Sequence, residues 1–199
     1  MVLKFQYNKI SQLALEKQLK IRLKALPTLK NKESALRLEV KRARDKAHEL
    51  EAKISAGTSE LEQFMKLWAE FDPSLVQVKN VEILTRKIAG VQTPVLGQID
   101  YEIRDYDLFS APSWYLDGIE LVKNLSSLQI ERDFFVRKMH ILERVRKKTT
   151  QKVNLYEKVQ IPAYEDSILK IKRFLEDEEN LSKAGQKILK NRLGQEVYA

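Results

Sequence analysis

The chain has 199 residues, no Cys and two His, and its 36 Lys/Arg against 28 Asp/Glu give a net charge of +8. At 43% hydrophobic and 32% charged residues it is too apolar for a wholly disordered chain and too charged for an integral membrane protein. Zero Cys excludes disulfides, thiolate zinc sites and Cys nucleophiles, and His48 with His140 are too few for a multi-histidine metal site. No apolar run approaches the roughly 20 residues of a membrane helix, and the opening MVLKFQYNKISQL lacks the apolar core of a signal peptide. These features predict a soluble protein of a reducing compartment.

Residues 1–50 hold 13 Lys/Arg and 5 Asp/Glu, so the whole excess of positive charge lies in the first quarter of the chain. Such a segment predicts an acidic counterpart: nucleic acid, an anionic membrane surface or an acidic protein collar. A Lys-rich, solvated helix face is the plainer reading.

A long first helix is written in the apolar spacing. Steps of three and four residues pass through Leu15, Leu19, Arg22, Leu26, Leu29, Glu33, Leu36, Val40, Ala43, Ala47, Leu50, Ile54, Gly57, Leu61, Phe64, Trp68 and Phe71. Only Arg22, Glu33 and Gly57 are not apolar, and the register never skips, which is the heptad pattern of a coiled coil. The stretch would span roughly 85 Å at 1.5 Å per residue, too long for a compact domain of this size, so it must protrude. Pro27 lies inside it and predicts a lost hydrogen bond and a kink.

The period changes between Asp72 and Gly118. Val76 and Val78, then Val81 and Ile83, alternate with polar residues, with one step out of phase. Ile99-Asp100-Tyr101-Glu102-Ile103-Arg104 alternates cleanly, and Gly90, Pro94 and Gly97 punctuate the join. This predicts a short β-hairpin. Two strands alone are marginal in water, so the hairpin should lean on the helices or on a partner.

The second helical stripe reads Leu121, Leu125, Leu128, Phe135, Met139, Leu142, Thr149, Val153 and Tyr156, with Arg132 and Arg146 at seam positions. It then moves over by one residue, to Ile161, Tyr164, Ile168, Ile171 and Leu175, a shift that falls at Pro162. Two such helices most simply fold back antiparallel. The predicted fold is all-α: a long antiparallel two-helix coiled coil, residues 1–71 and 119–199, with a β-hairpin insert at 72–118.

Residues that could carry chemistry have plainer readings. Asp100, Glu102, Asp105 and Asp107 could bind a divalent cation, but they fit better as the solvent face of the strand whose other face is Ile99, Tyr101 and Ile103. The basic run Arg144, Arg146, Lys147, Lys148 and Lys152 could contact phosphates, yet reads as a solvated helical face with Arg146 snorkelling from the seam. His48 and His140 lack a second ligand at metal spacing. Trp68 and Phe71 read as core at the hairpin end. No GxxxxGK[ST], GxGxxG or GxSxG occurs, so neither a nucleotide-binding nor a hydrolytic site is expected, and no cofactor.

Three stretches carry a resemblance to the D subunit of V-type and A-type ATPases. Leu19-Lys20-Ile21 with Lys30-Asn31-Lys32-Glu33-Ser34-Ala35-Leu36 resembles that family's LKLA…KDKRDEL helix. Ala89-Gly90-Val91-Gln92-Thr93-Pro94-Val95 resembles its MGVxVP segment. Val153-Asn154-Leu155-Tyr156-Glu157, Ile161-Pro162 and Glu165 resemble VNALE…IPxLE, and Ile168, Ile171 and Leu175 continue the stripe. The gamma subunit of F-type ATPases is similar in its coiled coil but carries a much larger insert than the 47 residues available here.

The resemblance implies a non-catalytic central rotor. A ring of catalytic A and B subunits would surround the coiled coil, through Lys30, Lys32, Val153, Asn154, Glu157, Ile161, Pro162, Glu165, Ile168, Ile171 and Leu175. The hairpin, through Val78, Val81, Ile83, Ile99, Tyr101 and Ile103, would face the F subunit and a socket subunit (C/d type) on the membrane side. It further implies a cytoplasmic protein peripheral to the membrane, with no nucleic acid bound and no direct membrane insertion. The competing readings are a basic coiled-coil arm for nucleic acid, in which only Phe5 and Tyr7 would interleave with the basic residues, and a generic scaffold coiled coil.

Overall fold

The computed structural model describes residues 3–62, 70–107 and 111–196, with the backbone alone at 73 and 193–196. Helix α1 spans Lys9–Glu62, strands β1 and β2 span Val76–Ile88 and Val91–Ile103, and helix α2 spans Tyr115–Asn154. A π-helical turn, Leu155–Gln160, leads into helix α3, Ile161–Glu196. Two long helical stretches with a two-stranded hairpin between them are the architecture the heptads predict. Seam positions Phe64 and Trp68 lie outside the described residues.

The start of α1 follows from one side chain. Asn8 Oδ1 accepts from the Ser11 N–H at 2.7 Å, satisfying a donor that the first helical turn leaves open. Helix α1 then runs 54 residues without a break, through Pro27. Pro27 is exposed, so the carbonyl its missing N–H leaves open faces water. Every described seam position from Leu15 to Leu61 is buried or half-buried.

The chain divides into two compact units. Residues 32–148 form one, and residues 1–31 with 149–199 form the other.

In the first unit α1 and α2 run antiparallel. Leu36 and Val40 pack on Leu142, with Met139 and Val145 partly covering the cluster. Gly57 lies so close to Leu125 that a Cβ there would come within 2.9 Å of it. The charged seam positions have partners. Arg146 donates through Nε and NH2 to Glu143 at 3.0 and 2.6 Å, and that bond holds the Glu143 carboxyl below the usual carboxylate range. Glu33 adds an electrostatic attraction to the same guanidinium. Arg132 Nε lies 3.2 Å from Glu51 Oε2, an ion pair without the alignment of a hydrogen bond.

The hairpin leans on this helix pair. Its turn is Ala89-Gly90, with φ of 48° and 78°, the two positive values a tight type I′ hairpin requires. Ala89 in that conformation costs about 1 kcal/mol, offset by its packing with Val91 on the Leu36 cluster. The segment read as a punctuated join is therefore mostly strand, with only two residues turning. Pro94 sits within β2 opposite Thr85, which a two-stranded sheet tolerates because each strand keeps one unpaired edge. Register shifts lie at Val78/Asn80 and Val81/Ile83, which explains the phase step in β1. At the second shift a Cβ on Gly97 would come within 2.5 Å of Glu82 Oε2, so the close approach requires glycine. Thr93 is buried and donates its hydroxyl to the Arg86 carbonyl. Tyr101 OH donates to the Lys123 carbonyl of α2. A second cluster, Phe71, Leu75 and Ile119 with Trp114 and Tyr115 around it, closes the other end of the hairpin, the core role the spacing assigned to Phe71.

In the second unit Val153, Ile161, Tyr164 and Ile171 are buried. The one-residue shift of the stripe has a different origin from a proline kink. The Ile161 N–H bonds to the Tyr156 carbonyl five residues back, so Leu155–Gln160 is a π-bulge holding one extra residue. Without it the heptad would continue through Gln160, Ala163, Ser167, Lys170 and Phe174; with it Ile161, Tyr164, Ile168, Ile171 and Leu175 face inward. Pro162 contributes by lowering the cost, since a regular helix here would already lack a donor for the Lys158 carbonyl. Arg22, the charged seam residue opposite, donates Nε to Gln160 Oε1 at 2.7 Å and lies 4.5 Å over the Tyr164 ring.

Two outcomes are expected. Leu142→Ala, at a fully buried site, should cost about 2–5 kcal/mol in denaturant unfolding, and Leu38→Ala, half-exposed, within about 0.5 kcal/mol. Deleting Lys158 should leave cooperative unfolding intact, because it restores an unbroken three-four alternation from Thr149 to Leu175. Deleting Arg144 should destroy it, by turning Thr149, Val153 and Tyr156 about 100° out of phase.

A candidate partner-contact surface

The residues singled out from the sequence fall into three positions. Val153, Ile161 and Ile171 are buried, and Ile168 and Leu175 half-buried. These hold the second unit together. Lys30, Asn154, Glu157, Pro162 and Glu165 are exposed, and Lys30 Nζ bridges Glu157 Oε1 at 2.7 Å. An exposed pair of this kind contributes at most about 1 kcal/mol and is open to exchange for a partner's charge. Lys32, in the first unit, is half-buried near the hairpin turn, its Nζ 3.6 Å from where a Gly90 Cβ would sit. On the hairpin, Val81, Ile99 and Tyr101 turn inward and half-buried, whereas Val78, Ile83 and Ile103 are exposed at 44%, 59% and 42%. The hairpin thus leaves apolar side chains partly open along its grooves with α2, Ile83 beside Ile130 and Phe134 and Ile103 beside Leu116 and Ile119.

Beyond Leu175 helix α3 changes character. Every side chain described from 176 to 192 is exposed. Leu181 is 74%, Ile188 55% and Leu189 61% exposed. An isolated helix of this length is marginal in water, and large apolar side chains on it lose the burial that would hold it. The apolar stripe breaks after Leu175: Leu181 and Ile188 sit off it, and Leu189, two heptads beyond Leu175, continues it only after the polar positions Glu178 and Ser182. Phe174, Leu181 and Ile188 recur every seven residues, a second stripe that could have been found by asking which apolar residues the first stripe leaves out.

The charge on this unit is also open. Lys17, Lys20 and Lys24 are exposed and make no ion pair among the described residues. Lys170 is raised above the usual lysine range by its bond to Asp166, a local helical pair. The remaining candidates stay on solvent faces: Asp100, Glu102 and Asp105 on the hairpin side, Arg144, Lys147, Lys148 and Lys152 on α2, and His48 and His140. Among the described residues no three His, Cys, Asp or Glu come together as a metal site, and no helix is long and apolar enough to cross a membrane. The exposed arm and the half-open apolar side chains of the hairpin are suited to contact, by burial of apolar side chains and by charge.

Comparison with known proteins agrees with this layout. The family model describing the D subunit of ATP synthase matches residues 11–191. The chain is 31% identical over 178 residues to the V-type ATP synthase D subunit of Borreliella burgdorferi, covering 88% of both chains. It is 27% identical over 175 residues to the protein of that name in Chlamydia muridarum, covering 85% of this chain and 86% of the other. A Chlamydia trachomatis serovar L2 protein of the same name is 28% identical over 175 residues, with the same coverage. A match that takes in both long helical stretches and the hairpin places this chain in the family of ATP synthase D subunits.

Proposed function

We propose that this protein is the central rotor shaft of a V-type or A-type ATPase or ATP synthase. It has no catalytic role of its own; it carries torque between a membrane-embedded ion-translocating ring and a catalytic ring of A and B subunits. The observation that carries the reading is the arm beyond Leu175, a helix exposed on all sides with Leu181, Ile188 and Leu189 uncovered. An arm of that kind needs a sleeve. The catalytic ring would supply it, and Lys17, Lys20 and Lys24, exposed and without an ion pair among the described residues, would face acidic groups lining it. The F subunit and the socket subunit would meet the hairpin end, and the complex would hold the chain at the cytoplasmic side of the membrane.

Coupling then takes a simple physical form. Each angle of the shaft presents a different set of side chains to each catalytic pair, and favours the ring conformation it contacts best. Conversely, a change of ring conformation driven by ATP biases the angle of the shaft. Nothing in that cycle requires a reactive group on the shaft. It requires that the shaft transmit a turn without its helices slipping, and a long seam with paired charges supports that requirement.

The test is made on the assembled complex. Replacing Leu181 and Ile188 by Asp leaves the buried seam untouched. Losing two interface anchors should lower ATP-driven ion pumping about tenfold or more, while the chain itself unfolds at an unchanged temperature. Pumping at the level of the unaltered complex, with the substituted chain bound, would remove the arm from the mechanism.

A further inference from the structure

Three elements of the first unit bring cations to one place. Arg42 comes from α1, Arg86 and Lys87 from β1, and Lys138 from α2, around an open groove of about 450 Å³ floored by Phe135. Glu39 is the sole acid lining it, and it is bound to Arg42 at 2.8 Å. Arg86, Lys87 and Lys138 have no ion pair among the described residues, and Lys138 lies 5.7 Å over the Phe135 ring. Gathering like charges raises the energy of the free protein. The backbone beneath them is nevertheless anchored. The hairpin turn beside Arg86 and Lys87 is anchored by Ala89 and Val91 on the Leu36 cluster, and the Arg86 carbonyl is tied to buried Thr93.

The groove does not end at the charges. It shares Phe135 and Lys138 with a neighbouring pocket of about 230 Å³, lined by Pro94, Val95, Leu96 and Phe134 and by one acid, Glu131, which an occupant would have to meet with an uncharged or apolar group. A basic half therefore continues into an apolar half. Inorganic phosphate would use only the first. A flat lipid surface fits neither, because both lie in a concave seam between strand and helix.

We propose that this two-part groove is the docking site of an acidic amphipathic polypeptide segment on a partner protein. Carboxylates of the segment would neutralise Arg86, Lys87 and Lys138, and one or two of its large apolar side chains would enter the pocket beside Phe134. The strand that carries Arg86 and Lys87 is anchored before binding, so the cost of ordering falls on the long side chains and not on the backbone. The proposal does not rest on the exposure of the arm, since the groove is built entirely within residues 32–148.

The experiment selects from random peptides about twelve residues long, displayed on phage, against the full-length protein. Selected peptides should combine Asp or Glu with Leu, Phe or Tyr, and should bind less tightly as salt rises. Their affinity should fall about tenfold for R86E/K87E, whose side chains are exposed and whose replacement leaves the core intact. The control K17E/K20E, equal in charge change but on the other unit, should shift affinity no more than about twofold. Selected peptides that bind R86E/K87E as tightly as the unaltered chain overturn the proposal, as does a selection with no acidic enrichment. Full displacement of the peptides by inorganic pyrophosphate would make it a phosphate site instead. Displacement by vesicles containing phosphatidylserine, lost in R86E/K87E, would make it a membrane contact; either result sinks the peptide reading.

Discussion

The structure depends on keeping two apolar stripes in phase along a helix pair. A helix with 3.6 residues per turn drifts by about 20° per heptad against a strict seven-residue repeat, so a long seam survives only if every local departure is absorbed. Leu36, Leu50, Leu142 and Ile171 are essentially fully buried, each at a three-four step. Burying one such side chain contributes about 1.5–3 kcal/mol, and a slip by one residue would turn whole rows of them outward. The other features of the fold are adjustments that hold this phase.

The charged seam residues are among those adjustments. Arg146 is bound to Glu143 with Glu33 nearby, Arg132 lies against Glu51, and Arg22 is held by Gln160 and Tyr164. A charge at an interior position favours the alignment that offers it a partner over slipped alignments that do not. The π-bulge does the complementary work. It accepts one surplus residue at a place where Pro162 has already removed a hydrogen bond, and returns the apolar stripe to the inside. Arg22 meets Gln160, the last residue of the bulge, and Tyr164, one turn beyond it, so one side chain spans the phase correction. The bulge and its facing guanidinium belong together.

Most of the fold was legible in the residues. Periodicity alone located both helices, the interior face of each, and a change of period between them. The hairpin's phase step at Val78 was visible as well. The cause of the stripe's shift was not legible, because a proline kink and an extra residue produce the same displacement in a list of apolar positions; only the Ile161-to-Tyr156 hydrogen bond separates them. The length of the strands was hidden by Gly90, Pro94 and Gly97, which look like loop residues. Gly90 does turn the chain, Gly97 makes room for Glu82, and Pro94 rests in a strand with a free edge. The contact surface was the least legible part. The residues picked out by resemblance mix the buried Ile161 and Ile171 with the exposed Val78 and Ile83 and leave out Leu181 and Ile188, and it is burial that separates them.

The distribution of charge makes sense in the same terms. An excess of eight positive charges in the first 50 residues does not help two helices pair, because pairing rests on the apolar stripe and on local bonds such as Glu49 with Lys46 and Lys53. Those bonds hold the Glu49 carboxyl at a pKa of about 2, yet they neutralise only their own helix turn. Cations that have no ion pair among the described residues raise the self-energy of the chain, and an acidic partner would lower it. The unneutralised lysines on the first turns of α1 and the convergent Arg86, Lys87 and Lys138 are two such sites, in different units and with different neighbours. The first sits on the unit that also bears the exposed arm, the second beside an apolar pocket. One acidic partner of uniform character would match the first, with its uncovered helix, and the second, with its concave apolar wall, unequally, which is why the two are proposed as separate contacts.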